Sequence, residues 1–249
     1  RRNLKHRLAQ QASPRSSYRL TDSQRIAQRL LRTADRQPET VDRIDRLKHV
    51  SALLGEQTDA TNRLRAVFGS DLRAHAELIE AAHRRVTSMT AWKPARLEAL
   101  ETTAAGLPEV AAADTSDMVT GVRALEEGLT ERVGRTHSRG ALLSEAASLV
   151  VDDPTLWQES FPTIERLSLA GVSEVDAPLL DLLAAAANAG VDVTTYLRPG
   201  TGPAIGTRLP DRLPDCDAVA AVTGSGFSPP PVPTTELVAD TPEAEARLA

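Results

Sequence analysis

The segment of residues 164–197 constrains the fold more than any other part of the sequence. It begins with an apolar run that alternates like a buried strand, IERLSLAGV, and continues with a leucine- and alanine-rich stretch, VDAPLLDLLAAAANAG, which ends at Gly190. A β-branched run, VDVTTYL, follows directly. Because a strand, a helix and a strand joined this closely require a crossover connection, we expect two parallel strands bridged by a helix.

Residues 1–150 show a different pattern, that of amphipathic helices. Apolar residues recur there at spacings of three and four, and proline and glycine separate the stretches. The positions that carry the pattern are Ile26, Leu30, Leu31, Val41, Ile44, Leu47, Leu54, Leu64, Val67, Phe68, Leu72, Ile79, Val86, Met118, Val122, Leu125 and Leu129. The sequence therefore predicts an α/β fold with a large all-helical part, divided into a helical subdomain over residues 1–150 and a parallel α/β segment over residues 151–249.

Composition narrows the class of protein. Alanine and leucine dominate while aromatic residues make up 3% of the chain, which favours helix packing over a β-sandwich. The single cysteine, Cys216, excludes a disulfide framework or a four-cysteine metal cluster within this sequence. No apolar run approaches 18 residues, so we expect a cytoplasmic protein without a membrane segment. Because the chain starts without methionine and stops after a two-turn helix pattern, TPEAEARLA, we expect a segment truncated at both ends.

Positive charge is concentrated in the first part of the chain. Residues 1–100 carry 20 Lys and Arg against 11 Asp and Glu, whereas residues 101–249 carry 9 against 23. After Asp22, the spacing of Arg25, Arg29, Arg32 and Arg36 places four guanidinium groups along one side of a helix. Such a row can follow a nucleic-acid backbone without reading bases, and its binding would depend strongly on salt. Weaker candidates are Arg198 and Arg208, in the loop after the second strand. The alternative is an ordinary solvated helix face.

The turn between the first predicted strand and the helix is the other candidate site. In open parallel sheets, ligands bind beyond the carboxyl ends of the strands, where Gly171, Ser173, Glu174 and Asp176 lie in this sequence. Glu174 or Asp176 has the chemistry to hold a magnesium ion. The interpretation that we favour is a capping box, formed by Ser173 and Asp176 at the start of the helix. A hydrolase built on Ser173 is least favoured, because Val175 replaces the last glycine of a nucleophile elbow.

Other motifs are incomplete. No G-x-x-x-x-G-K-[ST] loop occurs, and the glycine-rich GTGPAIG contains a proline and is followed by no lysine. Glu80 and His83 form one Glu-x-x-His pair, which we interpret as part of a solvated helix face rather than half of a di-iron site. The sequence as given therefore contains no complete catalytic site.

The stretch FPTIERLSLAGVSEVDAPLLDLLAAAANAGVDVTTYLRP resembles the motif-two strand and following helix of the superfamily 1, UvrD-related helicase relatives represented by the AddB subunit of bacterial helicase-nucleases. LVADTPEAEARLA is similar to the segment that opens their second motor domain. The resemblance implies a partial Rossmann-like parallel sheet, a remnant of a helicase motor, with residues 1–150 as an inserted helical subdomain. It also implies a nuclease domain of the PD-(D/E)xK type downstream.

The same resemblance implies a degenerate nucleotide site. Members of the family that hydrolyse ATP carry an aspartate at the end of this strand to hold magnesium, and Ala170 or Gly171 stands there in this sequence. The remnant then consists of Ala170, Gly171, Ser173, Glu174 and Asp176. No cofactor is implied for this chain, and ATP and magnesium belong only to the parent protein.

The leading hypothesis is a DNA-binding, non-hydrolysing, helicase-like region of a DNA-repair helicase-nuclease subunit. Its expected partners are DNA, either single-stranded or as a duplex end, and a helicase partner subunit. The alternative from a different class is an inert helical scaffold that binds other proteins through its Leu/Ala faces.

Overall fold

The computed structural model describes residues 19–38, 40–56, 58–134, 138–172 and 175–197. These residues form nine helices and two strands. The helices are α1 (Ser23–Thr33), α2 (Arg43–Leu54), α3 (Asp59–Phe68), α4 (Ala76–Thr90), α5 (Pro94–Ala105), α6 (Glu109–Val133), α7 (Arg139–Asp152), α8 (Thr155–Ser160) and α9 (Ala177–Asn188). The strands are β1 (Arg166–Val172) and β2 (Asp192–Leu197). The described part of the chain is thus mostly helical with one small parallel sheet.

Side chains at the helix starts explain where several helices begin. At five helices, the side chain of the N-cap residue accepts a hydrogen bond from a backbone N–H in the first turn. These N-cap residues are Asp22, Asp42, Thr58, Ser138 and Asp176. Such a cap satisfies one of the N–H groups that have no partner within the helix. At the other end of α9, the helix closes at Gly190 as the sequence predicted, and this glycine adopts a left-handed φ of 86°.

One group of buried residues, the first core, joins the beginning of the described chain to its end. It combines Leu30 and Leu31 of α1 with apolar residues of α7, α8 and α9. Its buried members are Ile26, Ala27, Leu30, Leu31, Leu142, Leu143, Ala146, Ala147, Val150, Leu156, Trp157, Phe161, Leu182, Ala185, Ala186 and Val191. Helix α1 packs on α7 and α8 and shares one core with the strand-helix-strand segment, although more than a hundred residues separate the two in sequence.

A second group of buried residues, the second core, lies among α2 to α6. Its buried members are Val50, Leu54, Leu64, Leu72, Ala76, Ile79, Val86, Leu97, Val119, Val122, Leu125 and Leu129. The long helix α6 supplies the last four of these, and α3 packs closely along it. Many of the apolar positions that the sequence pattern singled out fall in this core.

The two strands pair in parallel, as the sequence predicted. Arg166 is opposite Asp192, and Leu169 is opposite Thr195. Leu167, Leu169 and Val193 pack against Leu183 of α9. On the opposite face of β1, Ser168 is exposed. The described apolar side chains Leu167, Leu169 and Val193 therefore share the face of the sheet that packs on α9.

The finer predictions about architecture go beyond these elements. A Rossmann-like origin of the sheet and the division at residue 150 stay predictions, and the strand predicted within ELVA lies outside the described residues. None of the helices in the described residues combines the length and the hydrophobicity of a membrane-spanning segment.

Candidate functional site

The predicted arginine face lies on α1 and its C-terminal extension. Arg25 and Arg32 are exposed on the helix, and Arg36 is exposed just beyond it. Asp35 takes a left-handed φ of 54°, and the N–H of Arg36 donates back to the carbonyl of Leu31 at 2.8 Å. This closing turn keeps Arg36 beside the last turn of the helix.

The fourth arginine has a different environment. Arg29 is half-buried, and its guanidinium lies 5.1 Å from the ring centroid of Phe161. An arginine over an aromatic face is attracted by the ring and fixed in orientation by it. Arg29 therefore contributes to packing between α1 and the end of α8 as well as to the charge of the face.

Few carboxylates neutralise the arginine face. Arg25 pairs with Asp22 at 3.6 Å, and both side chains are largely exposed. Exposed pairs of this kind are weak because water screens them. Among the described residues, neither Arg32 nor Arg36 has a carboxylate within ion-pair distance. Arg32 and Arg36 are thus available to an anionic ligand, and Arg25 is held only by this weak exposed pair.

The opposite side of α1 holds the helix in place. Ile26, Leu30 and Leu31 are buried in the first core. Near the start of α1, the guanidinium of Arg139 donates through Nη2 to Ser23 Oγ at 3.0 Å. The arginine face is therefore presented by a packed helix.

The same Arg139 also contacts the strand-to-helix turn. Its Nη1 lies 3.2 Å from Asp176 Oδ2, while Asp176 Oδ1 accepts the backbone N–H of Leu179 at 3.0 Å. Asp176 thus caps α9 with one carboxylate oxygen and binds an arginine with the other. The expected capping box, with Ser173 as the N-cap and Asp176 three positions later, is wrong, because the helix begins at Ala177 and Asp176 itself is its N-cap.

The other members of the predicted nucleotide-site remnant are only partly described. Ala170 and Gly171 lie near the C-terminal end of β1, where the pairing register with β2 shifts. Ser173 and Glu174 lie outside the described residues, as do Arg198 and Arg208. Beside Asp176, a cavity of about 310 Å³ is lined by Ser88 of α4, Arg139 of α7, and Asp176 and Leu179 at the start of α9.

The interpretation of Glu80 and His83 as a solvated face is wrong. Glu80 is 3% exposed and His83 is 0% exposed, and both lie among α2, α4 and α6. Arg46 of α2 places Nη1 3.2 Å from Glu80 Oε1 and Nη2 2.9 Å from His83 Nδ1. The other ring nitrogen of His83, Nε2, lies 2.7 Å from Glu126 Oε2 of α6.

These contacts fix the state of the histidine ring. Because a guanidinium can only donate hydrogen bonds, His83 Nδ1 must accept, and the ring proton is on Nε2, facing Glu126. Burial lowers the pKa of Arg46 from its ordinary value, and the carboxylates of Glu80 and Glu126 oppose that shift. Arg84 adds a second partner for Glu80 at 3.0 Å. This buried network joins three helices around the second core.

A second buried ion pair, between Arg96 and Asp181, was also missed from the sequence. Asp181 is 8% exposed and Arg96 is 9% exposed. A signal was present, because Asp181 interrupts the apolar stretch LLDLLAAAA. An acid within an otherwise apolar helix is seldom buried without a basic partner. The identity of that partner, 85 positions away, is a property of the fold.

A comparison with curated proteins found no match, and a comparison with solved structures also found none. A family model described as Halobacterial UvrD-like protein matches residues 1–223. The match spans every described helix and strand, including the arginine face and the turn at Asp176. It confirms the predicted relation to UvrD, whereas the AddB and nuclease assignments stay predictions. The chain belongs to the Halobacterial UvrD-like protein family.

Proposed function

We propose that this chain is a DNA-binding, non-hydrolysing region of a UvrD-related DNA-repair protein of the AddB type. The arginine face of α1 carries the proposal. In it, Arg25, Arg32 and Arg36 are exposed, and Arg29 lies beside them over Phe161. The family match supports a helicase-related role for the chain as a whole. Single-stranded DNA or the end of a duplex is the proposed ligand, and a helicase subunit is the proposed protein partner.

The dimensions of the arginine face suit a phosphate backbone. Arg25 and Arg32 are seven residues apart, which corresponds to about 10 Å along a helix axis. Three nucleotides of one strand in B-form DNA cover about the same axial distance. Each exposed arginine can therefore contact a different phosphate. Binding of this kind places the protein on DNA and carries no base specificity.

The proposal of a non-hydrolysing region has support at the strand-to-helix turn. Ala170 or Gly171 stands where hydrolysing relatives are expected to carry an aspartate. Asp176, the next described carboxylate, uses one oxygen to cap α9 and the other to bind Arg139. Both oxygens of this carboxylate are therefore used in contacts within the chain. ATP and magnesium are accordingly proposed only for the parent protein.

The test measures single-stranded DNA binding at increasing salt concentrations, with the fluorescence anisotropy of a labelled oligonucleotide as the readout. The triple variant Arg25→Gln/Arg32→Gln/Arg36→Gln is compared with the unmodified chain. Each lost phosphate contact on a single strand lowers the slope of log K against log salt by about 0.7. We therefore expect the slope to fall by about 2.

A matched control removes the same charge elsewhere. Arg63, Arg73 and Arg123 are exposed on or beside the helices of the second core, and Arg63→Gln/Arg73→Gln/Arg123→Gln has the same net charge as the test variant. If DNA binds at the arginine face of α1, the slope of log K against log salt should change much less in the control than in the test variant. Equal losses in both variants, or no binding at low salt by the unmodified chain, would contradict the proposal and favour the helical scaffold.

A further inference from the structure

The two cores meet along a narrow contact between α4 of the second core and α7 and α9 of the first. At its centre, Gly140 faces Thr87, and a Cβ on this glycine would lie 2.8 Å from Thr87 Cγ2. The cavity of about 310 Å³ beside Ser88 and Asp176 opens on the same contact. Threonine, serine and charged residues therefore border this contact, which is tightly packed at Gly140 and open to a pocket beside Asp176. Such features are typical of interfaces between units rather than of a continuous core.

One buried ion pair crosses this contact. Arg96 of α5 donates to Asp181 of α9 in a bidentate arrangement, with Nη1 to Oδ2 at 2.8 Å and Nη2 to Oδ1. Arg96 Nη1 also approaches the carbonyl of Thr90 at 3.3 Å, and Lys93 Nζ lies 3.1 Å from Asp181 Oδ1. Two basic residues beside the second core thus hold one carboxylate of α9, a helix of the first core.

The basic residues follow a strained turn. Ala91 and Trp92 have φ values of 49° and 59°, so two consecutive residues other than glycine are in the left-handed region. The backbone N–H of Trp92 donates to Thr90 Oγ1 at 3.1 Å, and the centroid of the Trp92 ring lies 5.3 Å from that of the His83 ring. This turn brings Lys93 and Arg96 to Asp181. A strained conformation of this kind persists only where surrounding contacts hold it.

We propose that the Arg96–Asp181 pair is a latch that couples the two cores. With the pair intact, the cores unfold together. Without Asp181, the guanidinium of Arg96 remains charged and buried with no carboxylate, because arginine does not lose its proton in proteins. The second core then separates from the first at the α4 contact. This inference goes beyond the proposed function, since it requires no DNA.

The two tryptophans of the chain provide the test, because each lies in a different core. Trp92 packs against the second core, and Trp157 is buried in the first. In urea titrations, Trp157→Phe leaves Trp92 as the reporter, and Trp92→Phe leaves Trp157. In each of these two reporter chains, we expect the midpoint of tryptophan fluorescence to coincide with the midpoint of far-UV circular dichroism, which follows the helices of both cores. With Asp181→Leu added, we expect the two midpoints of each chain to differ by at least about 0.5 M urea, which a typical slope of unfolding resolves.

A matched control uses the same substitution in an exposed pair. Asp117 of α6 binds Arg63 of α3 at 2.9 Å on the surface of the helices that form the second core, and Asp117→Leu should leave the two midpoints coincident. If Asp181→Leu does not fold, Arg96→Lys replaces it, since lysine keeps the charge but loses the bidentate geometry. Coincident midpoints in whichever latch variant folds would overturn the proposal. Separate midpoints in the reporter chains without a latch substitution would overturn it too.

Discussion

Charged residues in this chain contribute very differently to stability, depending on whether they are buried. Arg46 is the buried example. It lies buried between Glu80 and His83, with distances of 3.2 and 2.9 Å. Removing one member of a buried ionic network leaves the remaining charges uncompensated, which typically costs about 3–5 kcal/mol. We expect Arg46→Met to lower the free energy of unfolding by this amount, as measured by urea denaturation.

A control for Arg46 lies on the same helix. Arg43 is about two-thirds exposed and stands 3.8 Å from Glu77, which is also exposed. The same substitution there, Arg43→Met, should change the free energy of unfolding by less than about 1 kcal/mol. Similar losses in the two variants would mean that the buried network contributes no more than a surface pair.

At the scale of elements, close packing of α3 against α6 depends on a glycine. A Cβ at Gly121 would lie 2.5 Å from Leu64 Cγ and 3.2 Å from the carbonyl of Ala60. Alanine favours a helix interior over glycine by about 1 kcal/mol. The clash outweighs that gain, because forcing extra atoms into a packed contact costs about 1–3 kcal/mol. We therefore expect Gly121→Ala to lower the midpoint of thermal unfolding.

A substitution at the neighbouring position distinguishes the effect of packing from that of helix propensity. Thr120 precedes Gly121 in α6 and is exposed. Thr120→Ala should leave the midpoint unchanged or raise it, since alanine is the better helix former and no contact is crowded. A rise with Gly121→Ala would show that α3 can move away from α6 without loss.

Local sequence patterns predicted the strand-helix-strand segment correctly. The alternation in IERLSLAGV, the leucine- and alanine-rich stretch that ends at Gly190 and the β-branched run VDVTTYL predicted β1, α9, β2 and their parallel pairing. The burial of His83 was not predictable in this way, because its partners are on helices 37 and 43 residues away. Asp181 is similar, since only the fold brings it to Arg96. Periodicity reports which face of an element is buried, whereas partners across the chain depend on how the elements pack.

At the scale of the whole molecule, the arginine face depends on the first core. Leu30 is fully buried in α1, and replacing a buried leucine by alanine costs about 2–5 kcal/mol. We expect Leu30→Ala to weaken DNA binding together with a loss of helical circular dichroism. The arginine triple variant should instead weaken binding while the circular dichroism stays unchanged.

Thr33 provides the comparison for Leu30. It lies on the same helix with its side chain exposed, and Thr33→Ala should preserve both binding and helix content. If Leu30→Ala unfolds α1 but leaves DNA affinity intact, the binding surface lies elsewhere on the molecule.

The contact between Arg139 and Asp176 has one more consequence. A carboxylate at such a turn ordinarily takes its counterion from solution, and here the counterion is a side chain of the same polypeptide at 3.2 Å. Dilution cannot lower its local concentration. The start of α9 therefore carries its counterion within the chain, and dissolved salt weakens this pair by screening rather than by displacing a bound ion.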